Sequence, residues 1–196
     1  VVVETDPNET VYVRNELLNL PWVFEIEHDA ERSFRSVMMD ETIKNSSPDQ
    51  WAMTRMGIQD AWKFSGTYSP CRVSVIDTGA DISHPDLDGL VRYGYDWAGQ
   101  DGNPDDLNGH GTALCGIVAT TTGMAGSNMT GPDESFLKIM PERIGTGESS
   151  FFSSYSALAI QHAADSGADI ILMGYGGPEN SLAEERAIDY AVRNGS

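Results

Sequence analysis

Residues 73–79 read Val73-Ser74-Val75-Ile76-Asp77-Thr78-Gly79. The β-branched residues predict a short strand, and the Asp-Thr-Gly sequence that follows predicts a turn at the carboxyl end of that strand. In an open parallel sheet, ligands bind at the carboxyl ends of the strands. Asp77 is therefore a candidate functional residue if the surrounding sequence forms such a sheet.

The sequence on either side of this run alternates between strand and helix patterns. Further strands are predicted at 136–140 and 170–173, and the second, apolar without alternation, is typical of a parallel strand buried on both faces. A first helix is predicted from His110, with Ala113, Leu114, Ile117 and Val118 on one face. A second is predicted over Tyr155–Ala163 and is ended by Gly167. A third runs from the Ser181–Glu184 capping box to Gly195, with Ala187, Ile188 and Ala191 inward. The alternation predicts an α/β fold, a parallel sheet with helices on both faces. We expect this sheet to be incomplete at the C-terminus, where the next strand should begin.

Residues 1–49 follow a different pattern, with many acidic side chains and few glycines. Val11–Val13 predicts a short strand, Glu16–Leu20 predicts a turn of helix, and Trp22–Glu27 alternates as a half-buried strand does. Asn45–Pro48 is typical of a flexible joint. This segment is therefore expected to be an attachment to the α/β part.

Length and composition exclude several classes of protein. The chain has 196 residues, 12 basic and 30 acidic side chains, and a formal charge of −18. Such acidity repels a phosphate polyanion and argues against nucleic-acid binding. No run approaches the length of about 18 continuous apolar residues that a membrane-spanning helix needs. With 40% hydrophobic residues, the chain is expected to be a globular protein that binds neither nucleic acid nor membrane.

Two features bear on the compartment. Two cysteines do not make a disulfide scaffold. Cys71 and Cys115 are either joined in one disulfide or are two small buried apolar residues. Acceptor sequences for N-glycosylation occur at Asn8, Asn45, Asn128 and Asn194. These sequences reflect either chance or a eukaryotic secretory pathway, and we expect a secreted glycoprotein.

A second polar motif, Asn108-Gly109-His110-Gly111-Thr112, directly precedes a predicted helix. The glycines beside His110 would let the backbone and a substrate approach closely. Histidine has an unperturbed pKa of about 6.5, so it can move protons near neutral pH. A buried aspartate bonded to one ring nitrogen fixes the tautomer and leaves the other nitrogen to act as a base. Asp77 and His110 would together form two thirds of a nucleophilic triad.

Both motifs resemble those of the subtilisin-like serine proteases, or subtilases. Residues 73–79 with His84-Pro85-Asp86-Leu87 match the family's aspartate motif, and Asn108–Thr112 with Cys115–Ala119 matches its histidine motif. The resemblance extends from about Gln50 to the C-terminus. It implies that the aspartate orients the imidazole and that the histidine acts as general base and acid.

The same resemblance assigns substrate binding to two further segments. Ala168–Gly177 is similar to the family's substrate-binding strand and the loop after it. The resemblance implies that a peptide is held in extended form by main-chain pairing. The residues expected to take part are Ser149, Ser150, Phe151, Gly174, Tyr175 and Gly176.

The sequence also departs from the family pattern. It has no Gly-Thr-Ser-Met-Ala motif, which carries the nucleophilic serine, and the oxyanion-hole asparagine is expected in a strand that this chain does not contain. Gly174 replaces the serine usual in the substrate strand, and Ala113 replaces a common histidine. The implied chemistry needs no cofactor or metal. A structural calcium ion stays an open alternative, although the loop after Ala119 lacks the asparagine-rich stretch that often ligates it.

The N-terminal segment gains a role from this resemblance. Leu17–Asp29 is similar to the last helix and strand of subtilase propeptides, which assist folding and then block the cleft. Residues 1–36 would then be a propeptide remnant, 37–49 a linker, and 50–196 the first part of the catalytic domain. The partners expected for the cleft are a polypeptide substrate and the chain's own propeptide or a protein inhibitor. The alternative is a plain N-terminal extension.

The resemblance implies a secreted serine endopeptidase that hydrolyses peptide bonds with a Ser-His-Asp triad. We expect the 196-residue chain alone to be inactive, because it lacks the serine and the oxyanion donor. A rival interpretation is a catalytically inactive subtilase-like protein whose cleft binds peptides or an inhibitor. Asp77-Thr78-Gly79 also resembles the aspartic-protease motif, but that interpretation requires an all-β scaffold and leaves His110 unexplained.

Overall fold

The computed structural model describes residues 2–34, 70–92, 94–118, 137–145 and 150–196, together with positions 55, 57 and 60. Its elements are α1 (Thr10–Leu18), β1 (Glu31–Phe34), β2 (Cys71–Asp77), β3 (Tyr95–Asp96), α2 (His110–Val118), β4 (Leu137–Arg143), β5 (Ser150–Phe152), α3 (Ser153–Asp165), β6 (Ile170–Met173), β7 (Tyr175–Gly176) and α4 (Leu182–Asn194). The predicted linker at 37–49 lies outside the described residues.

The central sheet has four strands in the order β3-β4-β2-β6. β2 pairs in parallel with β4 over its whole length and with β6 over residues Val73–Ile76. The short strand β3 pairs in parallel with the outer side of β4. The predicted parallel sheet is thus confirmed, and Asp77, the last residue of β2, lies at its carboxyl edge.

The side chains of β2 alternate between two layers of helices. Val73 and Val75 pack with Leu114, Cys115 and Val118 of α2. Ile76 packs with apolar residues of α3 and α4, namely Ala159, Ile160, Ala164, Ala187 and Ala191. Because successive side chains of a strand point to opposite faces, these layers cover both sides of the sheet. The predicted α/β fold is confirmed.

The helix ends follow the capping residues of the sequence. Oγ of Ser181 accepts a hydrogen bond from the amide of Glu184 (3.3 Å) at the start of α4. Gly195 ends that helix in the left-handed conformation, with φ 99°. Gly167 follows α3 with φ 74°. Glycine is favoured at both ends because a β-carbon strains a backbone with positive φ.

Three residues that were predicted to face inward are exposed instead: Ala113, Ile117 and Ile188. The buried lines of these helices run through Gly111 and Cys115 of α2 and through Ala187 and Ala191 of α4. A spacing of four residues keeps each pair on one helix face, so the neighbouring isoleucines turn away from the sheet. Periodicity identified the helices correctly but not every residue of the buried face.

β6 is parallel to β2 as predicted, but the prediction that it is buried on both faces is wrong. Ile170 is 53% exposed and Met173 is 38% exposed. Among the strands that the structure describes, β6 pairs with β2 alone and forms an edge of the sheet. An edge strand keeps part of its apolar surface exposed, whatever its composition.

The N-terminal segment departs from its predicted secondary structure. Val11–Val13, predicted as a strand, lies inside α1, and Trp22–Glu27, also predicted as a strand, has no regular structure. A three-residue strand needs a partner edge, whereas a helix satisfies its own backbone hydrogen bonds. Trp22 and Phe24 are exposed, so their alternation with charged residues does not reflect burial. The strand of this segment is β1, which begins at Glu31.

β1 joins the N-terminal segment to the α/β part. It lies between β5 and β7 in a second sheet of order β5-β1-β7, antiparallel to both strands. The pairing joins residues far apart in sequence, since Arg32 stands opposite Phe151 and Phe34 stands opposite Tyr175.

Cys71 and Cys115 are both free thiols in this structure. Cys115 is buried in the core beside β2, whereas Cys71 is half-buried at the start of that strand. The interpretation as small apolar positions therefore holds in full only for Cys115. In the described part of the chain, no helix has the length and hydropathy of a membrane-spanning segment.

Candidate active site

Asp77 and His110 meet at the carboxyl edge of the parallel sheet. Asp77 is fully buried at the end of β2, and His110 is the first residue of α2. Nδ1 of the histidine ring lies 2.7 Å from Oδ1 of the aspartate. The histidine side chain remains 18% exposed. Two residues chosen from separate sequence motifs are therefore hydrogen-bonded partners.

Close packing of two glycines brings the motifs together. A β-carbon on Gly111 would overlap the carbonyl oxygen of Gly79. The amide of Gly111 also donates to Oγ1 of Thr78 (2.9 Å). Any larger residue would push the start of α2 away from the end of β2. The glycines of the two motifs thus set the distance between Asp77 and His110.

Thr112 and Asp106 hold the start of α2 from the other side. Oγ1 of Thr112 accepts from the amide of Asp81 (2.9 Å) and donates to Oδ2 of Asp106 (2.6 Å). The amide of Thr112 donates to the same carboxylate oxygen (2.9 Å). Burial acts to raise the pKa of Asp106, but the hydrogen bonds from Thr112 and neighbouring amides bring it below its ordinary value.

The two carboxylate oxygens of Asp77 have different surroundings. Oδ1 accepts a hydrogen bond from the amide of Thr78 (2.8 Å) and one from the ring of His110. Oδ2 is buried and has no hydrogen-bond partner among the residues that the structure describes. Burial raises the pKa of Asp77 above its ordinary value, and the hydrogen bond with His110 opposes that rise.

Gly174 lies against both members of the pair. A β-carbon there would stand 2.7 Å from Oδ2 of Asp77, 3.4 Å from Cε1 of His110 and 2.5 Å from Cδ1 of Leu114. The serine that the family usually has at this position would bring a hydroxyl close to Oδ2. Glycine leaves that oxygen without such a donor.

The hydrogen bond defines what the pair can do chemically. An ionised aspartate only accepts hydrogen bonds, so a neutral His110 bonded to Asp77 must carry its proton on Nδ1. That tautomer leaves the lone pair on Nε2, where the ring can take a proton from a nucleophile. Asp77 then stabilises the imidazolium that forms. These residues supply the orienting acid and the base of a nucleophilic triad.

The other predicted site residues lie on or beside the two strands that flank β1. In the described ranges these residues are Ser150 and Phe151 of β5, Tyr175 and Gly176 of β7, and Gly174 directly before β7. Ser149 lies outside those ranges. The rings of Phe151 and Tyr175 meet edge to face, with centroids 5.0 Å apart. The hydroxyl of Tyr175 lies 2.6 Å from Oγ of Ser156, and burial raises the pKa of Tyr175.

β1 is held in extended form by both strands. Ser33 pairs with Ser150 on one side and with Gly176 on the other, and Phe34 pairs with Tyr175. Gly174 precedes β7, and β1 is antiparallel to β7, so β1 runs toward the Asp77–His110 pair. β5 and β7, the strands expected to bind a peptide by main-chain pairing, pair with β1 of this chain.

Two carboxylates of the N-terminal segment, which the sequence analysis missed, lie at helix N-termini. Glu27 accepts hydrogen bonds from the amides of Leu182 (2.7 Å) and Ala183 (2.9 Å) at the start of α4. Asp29 accepts one from the amide of Ser154 (2.8 Å) at the start of α3. A carboxylate there satisfies unpaired amides and meets the positive end of the helix dipole. The acidic positions of the N-terminal alternation were the available signal, but they were interpreted as one face of a strand.

The acidic loops near the pair form turns. Nδ1 of His84 accepts from the amide of Asp86 (3.2 Å) and caps the 3₁₀ turn Pro85–Leu87. Oδ1 of Asp101 accepts from the amide of Asn103 (2.8 Å). The part of the chain that the structure describes contains no group of three or more His, Cys, Asp or Glu side chains that could hold a metal ion.

The chain is similar to known proteins in sequence and in fold. A model described as the Subtilase family matches residues 70–196. The thermophilic serine proteinase of Bacillus sp. (strain AK1) is 40% identical over 142 residues, which are 69% of this chain and 33% of the relative. Thermitase of Thermoactinomyces vulgaris is 33% identical over 157 residues, 76% of this chain and 53% of the relative. The chain thus spans between a third and about half of the length of these curated relatives.

One solved structure is similar to this chain in both fold and sequence. Fervidolysin from Fervidobacterium pennivorans, a keratinolytic enzyme related to subtilisin, matches with a TM-score of 0.61 and 32% identity. The match covers 74% of this chain and 23% of fervidolysin. The family model covers well over half of the 196 residues, including both members of the Asp77–His110 pair. The chain therefore belongs to the subtilase family.

Proposed function

We propose that the protein to which this chain belongs is a serine endopeptidase that hydrolyses polypeptides by acyl transfer. The observation that carries the proposal is the 2.7 Å hydrogen bond between Nδ1 of His110 and Oδ1 of Asp77. Membership of the subtilase family supports the same reaction class. The nucleophilic serine and the oxyanion donors would come from residues outside this chain.

Each step of the proposed mechanism uses the same base. The serine hydroxyl attacks the carbonyl carbon of the peptide bond while Nε2 of His110 takes the hydroxyl proton. The tetrahedral adduct then collapses, and His110 returns that proton to the leaving amine. Water, activated by the same nitrogen, hydrolyses the acyl-enzyme and releases the new carboxylic acid. Asp77 orients the ring and stabilises the imidazolium in both halves. The scheme uses no cofactor, and a calcium ion would have a structural role only.

We assign residues 1–36 to the C-terminal part of a propeptide, residues 37–49 to a linker, and residues 50–196 to the first part of the catalytic domain. The pairing of β1 with β5 and β7 supports this assignment, as do the caps that Glu27 and Asp29 provide. A substrate in the same place would have to displace β1. The segment would therefore inhibit the enzyme in cis, as in a zymogen, and a protein inhibitor could use the same strands.

Secretion and glycosylation are part of the proposal. Asn8 and Asn194 are exposed, which supports their use as acceptors, and the other two acceptor sequences lie outside the described residues. Digestion with an N-glycosidase, followed by mass measurement of protein from the medium of a eukaryotic host, would detect the sugars. An unchanged mass would remove this part of the proposal and leave the reaction class untouched.

A fluorophosphonate probe, which modifies activated serines, tests the reaction class on the full-length gene product after release of its N-terminal segment. We expect labelling that disappears in His110→Ala and persists in His162→Ala, a matched change at a histidine of α3 that bonds to Glu142, outside the site. Absence of labelling at every pH would overturn the proposal and favour the inactive binding protein. The 196-residue chain alone is expected to hydrolyse no peptide, and turnover by this chain would contradict the assignment of the missing groups.

A further inference from the structure

Arg32 is the residue of β1 whose side chain enters the protein. Its neighbours Glu31 and Ser33 are exposed, whereas Arg32 is only 4% exposed. This alternation is that of a strand with one buried side. Burial of an arginine is unusual unless the guanidinium is paired. The groups that pair with the Arg32 guanidinium therefore bear on which side chain this part of the cleft accepts.

The guanidinium of Arg32 is paired with Glu184 in the first turn of α4. Nε and Nη2 both donate to Oε2 of Glu184, at 3.0 and 2.6 Å, and Nη1 donates to the carbonyl oxygen of Glu31 (3.2 Å). The Glu184 side chain is only 14% exposed. The two donors converge on one carboxylate oxygen from one edge of the planar guanidinium, an arrangement of two separate nitrogens that the single ammonium nitrogen of lysine does not reproduce.

The backbone leaves room for this head group. A β-carbon on Gly177 would stand 2.9 Å from Nη1 of Arg32. Gly177 directly follows β7, so the space belongs to the same strand region that pairs with β1. A side chain at position 177 would narrow the space that the guanidinium occupies.

The charge of Glu184 makes the space selective. The carboxylate lies in the first turn of α4, near the positive end of the helix dipole. An apolar or acidic residue in place of Arg32 would leave this largely buried carboxylate without its cation, and that arrangement is strongly unfavourable. The space therefore accepts a cationic side chain and discriminates against others.

We infer that the space filled by Arg32 is a substrate subsite for arginine and that Glu184 is its specificity-determining residue. The inference rests on the proposed function, because a polypeptide substrate would take the place of β1 between β5 and β7. In the register of that pairing, the selected arginine stands opposite Phe151, two residues before the residue opposite Tyr175. The preferred substrates are polypeptides with arginine at that position.

Cleavage of matched peptides by the full-length gene product, after release of its N-terminal segment, tests the subsite. The peptides are internally quenched and differ only at this position, which carries Arg, Lys, Leu or Glu. We expect kcat/KM to fall from Arg to Lys to Leu to Glu, with about 10- to 100-fold between Arg and Leu, the range of a hydrogen bond between charged groups. Glu184→Gln should remove most of this preference. Glu185→Gln, at the exposed neighbour in the same helical turn, should keep it.

A second measurement needs no catalysis. In the intact 196-residue chain, amide hydrogen exchange reports the opening of β1, and Arg32→Leu, Glu184→Gln and the double variant form a cycle. We expect each single variant to speed exchange of the β1 amides about 10-fold or more and the double variant to add little.

The outcomes of the two measurements separate the two proposals. Equal kcat/KM for Arg and Leu peptides, or independent effects of Arg32→Leu and Glu184→Gln on exchange, would overturn the subsite. If no peptide is cleaved, the proposed function fails. The exchange cycle then still decides whether Glu184 recognises the guanidinium.

Discussion

A β-carbon on Gly174 would stand 2.7 Å from Oδ2 of Asp77. The same oxygen is buried and has no hydrogen-bond partner in the described ranges. Glycine therefore allows the carboxylate to stay in place but does not provide a donor for it. We therefore expect the stability of this edge of the sheet and the orientation of His110 to depend on the side chain at position 174.

Gly174→Ala should destabilise the chain more than Gly174→Ser does. The added β-carbon crowds the Asp77 carboxylate and Leu114, an overpacking that costs about 1–3 kcal/mol. The serine hydroxyl offsets part of this cost, because a hydrogen bond to Oδ2 is worth about 1 kcal/mol. Urea unfolding of the 196-residue chain gives the three free energies of unfolding.

Gly102→Ala is the matched control, since a β-carbon there meets no atom within 4 Å. Its free energy of unfolding should stay within about 0.5 kcal/mol of the wild-type value. An alanine at 174 that is tolerated as well as the one at 102 would contradict the crowding of Asp77 and Leu114 by a β-carbon at position 174.

Asp77→Asn should reverse the tautomer of His110 without removing the contact. The asparagine amide can donate to Nδ1, so the ring proton moves to Nε2 and the base loses its lone pair at the reacting position. In the full-length gene product, kcat is expected to fall about 10⁴-fold, the scale of this change in a nucleophilic triad. Nitrogen NMR of the imidazole in the 196-residue chain reads the tautomer directly.

The half-buried Asp81, in the loop that follows Asp77, supplies the comparison for this experiment. Its carboxylate bonds to Ser83 and does not contact the pair, so Asp81→Asn should leave the tautomer of His110 unchanged. A protonated Nδ1 in both variants would mean that Asp77 does not determine the state of the ring.

The Asp77–His110 pair was predictable because each residue stands in a dense local motif. The glycines that allow the approach, Gly79 and Gly111, are part of the same motifs, so sequence alone contains both the groups and the means to join them. The parallel order of the strands followed from the alternation with helices. These features depend on residues that are close together in the sequence.

The placement of the N-terminal segment was not predictable in the same way. Arg32 bonds to a residue 152 positions later, and Glu27 to one 155 positions later. No local pattern specifies such partners. Glu27 and Asp29 meet helix N-termini and Glu25 pairs with Arg186 of α4, so these acidic residues do not line one side of a strand. Local periodicity therefore suggested a strand at Trp22–Glu27, whereas pairing with β5 and β7 produced one at Glu31–Phe34.

Glu27→Gln and Asp29→Asn should each loosen the N-terminal segment. Each change weakens a carboxylate cap on amides of a helix start, an interaction worth about 0.5–2 kcal/mol. Faster hydrogen exchange of the β1 amides in the 196-residue chain would report the loss. The two effects should add, since the carboxylates cap different helices.

Glu16→Gln removes the same charge from the exposed surface of α1 and should leave exchange in β1 unchanged. If this control accelerates exchange as much as Glu27→Gln does, the overall charge of the segment and not the helix caps determines its docking.

Cys71 and Cys115 should differ in reactivity. Burial raises the pKa of Cys115 to about 12, so almost no thiolate forms near neutral pH, and the core around β2 shields the sulfur. Cys71 is half-buried, and burial raises its pKa as well, so its reaction is slow but possible. A thiol reagent should modify at most one cysteine in the native chain and both in urea. A non-reduced chain with no reactive thiol in urea would indicate a disulfide instead.

The free energy of unfolding should fall as the pH rises above about 6.5, the unfolded pKa of histidine, because His162 and the buried Glu142 bind protons more tightly in the folded chain. The carboxylate of Glu142 accepts hydrogen bonds from Nε1 of Trp97 (2.7 Å) and Nδ1 of His162 (2.9 Å). Burial raises the pKa of Glu142, and the hydrogen bond with Glu142 raises the pKa of His162. The stabilisation from His162 is therefore complete below its unfolded pKa and is lost as the pH rises through the higher folded value.

His162→Gln should flatten this part of the curve of unfolding free energy against pH, whereas His28→Gln, at an exposed position, should leave the slope of that curve unchanged. Urea unfolding across this range gives the three curves, and parallel curves for the wild type and His162→Gln would contradict the coupling.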